Sequence, residues 1–125
     1  MLNRQMVFDD IARHAKRQRQ RAISGLYCAY RSGDGGKCFI GVLIPDDRYT
    51  PGMEGRSIQT NIAAQDAIDP KYGLVRDDPY WHDDRLFLST VQGVHDNHDP
   101  TEWPHYLVKL AANYALSPAA VLEAA

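Results

Sequence analysis

Apolar residues recur at spacings of three and four along the first segment of the chain: Val7, Ile11, Ala15 and Ala22, with Gln18 between them. That spacing predicts an amphipathic helix over about 3–24. Asn3 suits its N-cap, Asp9 and Asp10 fall early in it, and Gly25 is a natural stop. From Leu26 the pattern shortens to a period of two. Leu26–Arg31 and Lys37–Ile44 read as strands joined by the glycine-rich turn Ser32–Gly36. Centred on Gly33, such a hairpin sets Cys28 opposite Cys38. It turns Leu26, Cys28, Tyr30, Cys38, Ile40, Val42 and Ile44 to one core-facing side. Pro45 ends the second strand by withholding a backbone donor.

Beyond a loop at 46–56, Ser57 can cap a helix running to about Ile68, with Ile58, Ile62 and Ala63 inward. Residues 69–84 form a long polar and aromatic loop broken by Pro70, Gly73 and Pro79. A loop of that length in a small domain is either functional or locally mobile. A further helix is expected from Leu86 to about His95, and another from about Pro104, with Tyr106, Leu107, Leu110, Ala111 and Tyr114 as its apolar stripe. Ser117-Pro118 opens a short last helix through Leu122. The expected fold is α+β: a small antiparallel β-hairpin or sheet packed against several α-helices. It forms a single domain over 1–125, with a basic N-terminal helix at 3–24, the hairpin at 26–44 and a helical remainder at 57–124.

Composition supports one ordinary globular domain: 125 residues, 44% hydrophobic and 24% charged. No apolar run approaches the roughly 20 residues that span a bilayer, and the first residues lack the apolar core of a signal peptide. A cytoplasmic location follows as the expectation, with both cysteines reduced. The net charge of −2 conceals an asymmetry. Residues 1–31 carry seven Lys or Arg against Asp9 and Asp10, whereas the remainder carries seven against fourteen Asp or Glu.

Four groups of residues have chemical potential. Cys28 and Cys38 could hold zinc together with His95 and His98, but the Cys-x9-Cys spacing is unlike the short spacing of most zinc sites. Two reduced thiols on a core face account for them better. Cys38 as a nucleophile, with His95 as base and Asp96 or Asp99 as orienter, is the sharper catalytic candidate, and Glu54 is a further carboxylate for it. The His95-Asp96-Asn97-His98-Asp99 run looks metal-like, yet it also suits a polar helix end. Arg13, Lys16, Arg17, Arg19 and Arg21 could grip nucleic-acid phosphates. A pI near 6.2 and the lack of interleaved aromatics favour a solvated or self-paired face instead. Asp46, Asp47, Tyr49 and Glu54, together with Tyr80 and Trp81 among Asp77, Asp78, Asp83 and Asp84, read as a partner-binding surface.

The words Cys28-Ala-Tyr-Arg31, Lys37-Cys38, Gly41, Leu43-Ile-Pro-Asp-Asp47, Tyr49 and Met53-Glu-Gly55 resemble a family of small proteins encoded by tailed phages and prophages. Val91-Gln92, His95-Asp96 and Trp103-x3-Leu107 extend the resemblance, which covers roughly residues 20–115. Phe39 replaces the usual alanine and Val91 the usual leucine. The family brings no assigned activity. It implies a bacterial host cytoplasm and an accessory role, so binding to a protein partner is favoured over catalysis. A Cys/His- or metal-dependent hydrolase and a nucleic-acid binder are the alternatives, and a second copy of the chain is a further candidate partner. The favoured reading requires no cofactor and no metal.

Overall fold

The computed structural model describes residues 1–25 and 27–123. Helix takes up 54% of the residues and strand only 4%. The main helices are α1 (Arg4–Gln18), α2 (Ile62–Ala67), α3 (Trp81–Asn97), α4 (Trp103–Asn113) and α5 (Ala119–Leu122). The strands β1 (Ile23–Ser24) and β2 (Tyr27–Cys28) pair antiparallel, Ile23 with Cys28 and Ser24 with Tyr27. The expected α+β architecture is therefore incorrect, and the fold is mostly helical. Leu26, the first residue of the expected hairpin, lies outside the described residues, as do positions 124 and 125.

The hairpin fails for a physical reason. Its turn does close, with Ser32 N–H donating to the Gly36 carbonyl, but it supports a single bridge between Arg31 and Lys37. The following run, Cys38-Phe-Ile-Gly-Val-Leu-Ile44, has no true alternation. Five of its side chains, at Cys38, Phe39, Ile40, Leu43 and Ile44, are fully buried. The run coils instead: Val42 N–H reaches the Cys38 carbonyl, and a 3-10 turn forms at Gly41–Leu43. A short continuous apolar run fits a buried coil as well as a buried strand.

The backbone donors that a ladder would have used go to side chains. Glu54 Oε1 accepts from Tyr30 N–H at 2.9 Å and Oε2 from Arg31 N–H at 3.1 Å. Gln92 accepts from Ile40 N–H at 3.0 Å, and Gln18 accepts from Lys37 N–H at 2.8 Å. Buried backbone donors need partners of some kind, and here long polar side chains from distant elements supply them.

Gly41 is needed where the coil meets β2's continuation. A Cβ there would lie 2.1 Å from the Tyr30 carbonyl oxygen, a backbone atom that cannot move aside. Gly41→Ala should therefore destabilise the fold by about 1–3 kcal/mol, the cost of overpacking a filled interior. Urea denaturation would measure it, and an unchanged midpoint would refute the close approach.

Helix α1 starts where expected, with the Asn3 side chain accepting from Met6 N–H. It stops at Gln18, before Gly25, because Arg19 takes the left-handed conformation (φ 58°) and returns its N–H to the Ala15 carbonyl. Val7, Phe8, Ile11, Ala12 and Ala15 form its buried stripe. That stripe packs on the 41–43 turn, α4 and α5. Helix α2 is shorter than expected and is capped by Asn61, whose side chain accepts from Ala64 N–H. Ile58 is buried as the spacing predicts, but Ile62 is 59% exposed. Helix α3 begins five residues early, at Trp81, and so absorbs part of the expected loop. Phe87, Leu88, Val91 and Val94 face the core from α3, and Trp103, Leu107, Leu110 and Ala111 face it from α4. Among the described residues no helix is long and apolar enough to cross a membrane.

Candidate functional site

Two concave regions frame the chemistry. The larger is a cavity of about 520 Å³ between residues 28–30, residues 54–58 and one face of α3. Cys28, Cys38, Glu54 and Asp96 all border it, so the fold does gather most of the sequence-derived catalytic candidates. The identity of their neighbours decides what they can do.

His95 is fully buried on α3. Its ring stacks on Trp103 at 5.4 Å between centroids and meets the edge of Phe39 at 5.2 Å. Ala22 N–H donates to Nε2 at 3.1 Å, so Nε2 must carry the lone pair. The ring proton therefore sits on Nδ1 and is donated to Asp96 Oδ1 at 2.8 Å. Gln92 Nε2 donates to the same oxygen at 2.8 Å. Burial alone would raise the Asp96 carboxyl, but the bonds from His95 and Gln92 outweigh it and hold the group below its ordinary value. Arg21 closes the joint by donating to the His95 and His98 carbonyls at the end of α3. In sum, His95 is a pin between α3 and the chain leaving α1.

This geometry bears on metal binding and on catalysis. Cys28, His95 and Asp96 each bring one potential ligand atom within 4.8 Å of the others. To ligate through Nδ1, a neutral His95 would have to carry its proton on Nε2, facing the Ala22 N–H donor. The set therefore fits a metal poorly. The same bond prevents His95 Nε2 from serving as a base for a thiol. Cys38 is buried, and burial pushes its thiol up to about 12, while Gly41 N–H donates to its sulfur at 3.2 Å. Burial, and then the neighbouring Asp96 carboxylate, push the Cys28 thiol up to about 11. Both cysteines are free thiols. Since only the thiolate is nucleophilic, Cys28 should alkylate slowly at neutral pH, with a rate that climbs as pH rises toward about 11. Cys38 should stay unmodified until the protein unfolds. Peptide mapping after iodoacetamide treatment tests both, and rapid neutral-pH modification of Cys38 would contradict the burial argument.

The acidic loop is also turned inward. Besides its two backbone donors, Glu54 accepts from the Tyr49 hydroxyl at 2.6 Å, and the Arg31 guanidinium lies 5.1 Å from the Tyr49 ring centroid. Arg31 donates to Asp46 at 2.5 Å and to the Ile44 carbonyl at 2.6 Å. Of the loop's candidate partner-binding residues, Asp46 and Asp47 are the exposed ones, and Asp46 is paired. Tyr80 is exposed before the first turn of α3, and Trp81 lies beneath Arg76. His98 stacks on Tyr106, with ring centroids 3.5 Å apart, and does not join the Cys28, His95 and Asp96 group.

The basic run has a divided role. Arg13 pairs with Glu123 at 3.0 Å, Lys16 donates to the Glu123 carbonyl, and Arg21 caps α3. Arg17 and Arg19 are exposed, and Arg19 Nε donates to the Lys16 carbonyl at 2.9 Å. Lys16 and Arg19 border the second concave region, a groove of about 310 Å³ whose other walls are Ala12, Ala15, Pro100, Thr101, Trp103, Pro104, Leu107 and Val121. The groove was not legible in the sequence, because its walls come from three helices and a turn that are distant along the chain. Comparison with protein-family models, curated proteins and solved structures finds no match.

Proposed function

We propose that this protein is a phage or prophage accessory factor that acts by binding a protein partner in the cytoplasm of a bacterial host, and that it meets this partner at the groove between α1, α4 and α5. The observation that carries the reading is the pairing of an apolar hollow with a cationic rim, Lys16 and Arg19. Interfaces concentrate their binding energy in such small hollows, with charge at the edge guiding approach. The resemblance to small phage-encoded proteins agrees with an accessory role.

The hydrolase-like alternative is less well supported, since Glu54 and His95 have their polar atoms engaged by the fold and both thiols are held protonated. The nucleic-acid alternative is weakened because four of the five cations are anchored on the chain's own groups.

Affinity capture from a lysogenic host, with the wild type and with the double variant Lys16→Glu/Arg19→Glu as baits, tests the function. A protein retained by the wild type and lost from the variant is expected. Recovery of the same proteins by both baits would contradict the assigned surface.

A further inference from the structure

We infer that the occupant of the α1/α4/α5 groove is an acidic segment of another protein that inserts one large apolar side chain. The inference rests on the binding function proposed above and adds the chemistry of the partner. At about 310 Å³ the hollow sits at the small end of ligand pockets, the size of a side chain with adjoining backbone rather than of a helix. Its lining from Ala12, Ala15, Leu107 and Val121 offers only aliphatic contact, which selects an apolar insert.

The charge around it selects acidic flanks. Residues 13–21 hold five Lys or Arg and no carboxylate. Glu123 is tied to Arg13, and the Lys16 ammonium has three donors, of which the Glu123 carbonyl takes one. Trp103 adds a third element. It borders the groove, and its buried indole N–H has no hydrogen-bond partner among the described residues, so its resonance is a sensitive reporter of an occupant.

Other occupants fit less well. Trp103 is only 1% exposed, so it presents no open ring face on which a base could stack. A symmetric second copy would bring one basic α1 against another, with like charges opposed.

Titration of isotope-labelled protein with a blocked synthetic peptide, in which glutamates flank a central leucine, tests the inference by NMR. The Trp103 indole N–H resonance and those of the groove-lining residues should shift together. Peptides with lysine for glutamate, or serine for leucine, should leave them in place. The Lys16→Glu/Arg19→Glu variant should bind about tenfold more weakly or worse, with its thermal melt checked by circular dichroism. Wild-type affinity should also fall as salt rises, a readout independent of any variant. No binding by the glutamate peptide, or shifts confined to another face, would overturn the inference, while the capture experiment decides the binding function separately. Stronger shifts at the groove with duplex DNA, or with increasing protein concentration alone, would overturn it in favour of nucleic acid or a second copy.

Discussion

Replacing Asp84 with alanine is expected to cost about 3–5 kcal/mol of folding stability, the range for breaking a buried ion pair by removing one partner. Asp84 stands in the first turn of α3, and its side chain is 1% exposed. Its Oδ2 accepts from Leu2 N–H at 2.8 Å, and its Oδ1 accepts from Arg4 Nε and Nη2 at 3.2 and 3.0 Å. One carboxylate thus fixes the start of α1 to the start of α3, where the helix dipole also favours a negative group. Without it, the Arg4 guanidinium, which lies over Phe87 and Tyr114, keeps a partly buried charge with no counter-ion, and Leu2 N–H loses its acceptor. Asp84→Asn should recover little, because its amide turns a donor toward groups that are already donors. Chemical denaturation of both variants checks this. A loss below about 1 kcal/mol would place Asp84 with ordinary surface pairs.

His95→Ala is the second large effect, again expected at about 3–5 kcal/mol, the range for deleting a buried aromatic side chain. The ring fills the space between Phe39 and Trp103, and its removal also leaves the Ala22 N–H unsatisfied. His95→Gln should recover part of the loss, since its amide oxygen can reach the position of Nε2. His95→Asn, which mimics Nδ1, should recover less. Equal losses for the glutamine and asparagine variants would remove the Ala22 bond from the account and leave packing alone.

These two residues show what sequence patterning can and cannot deliver. Helix periodicity located α1, α3 and α4 and most of their buried faces, because an amphipathic stripe is a local property of the chain. The hairpin misled for the opposite reason. Whether the segment from Tyr30 to Ile44 pairs as a hairpin or coils depends on Glu54, Gln18 and Gln92 arriving from elsewhere to take the backbone donors of Tyr30, Arg31, Lys37 and Ile40. No local pattern encodes that. Several of the residues that stand out as words in the sequence have structural roles of this kind. Tyr30-Arg31, Gly41, Glu54, Gln92, His95-Asp96 and Trp103 are where distant segments are fastened together, by side chain-to-backbone bonds, close backbone approach and ring stacking. Read as chemistry, Cys38, Glu54, His95 and Asp96 suggest a catalytic set. In the fold they act mainly as fasteners, and the surface with unmet charge and an open hollow lies between α1, α4 and α5. Cys28 marks the difference: the hairpin pattern sets it opposite Cys38, whereas in the fold it pairs with Ile23 and its sulfur lies within 4.8 Å of potential ligand atoms of His95 and Asp96.

The fastening role of His95 can be read directly from its ring nitrogens. Long-range nitrogen–proton correlation spectra at neutral pH should show the neutral tautomer protonated at Nδ1, with an unprotonated Nε2 accepting from the Ala22 amide. A ring protonated at Nε2, or a free imidazole whose tautomers exchange, would contradict the account and return His95 to the list of groups available for catalysis or metal binding.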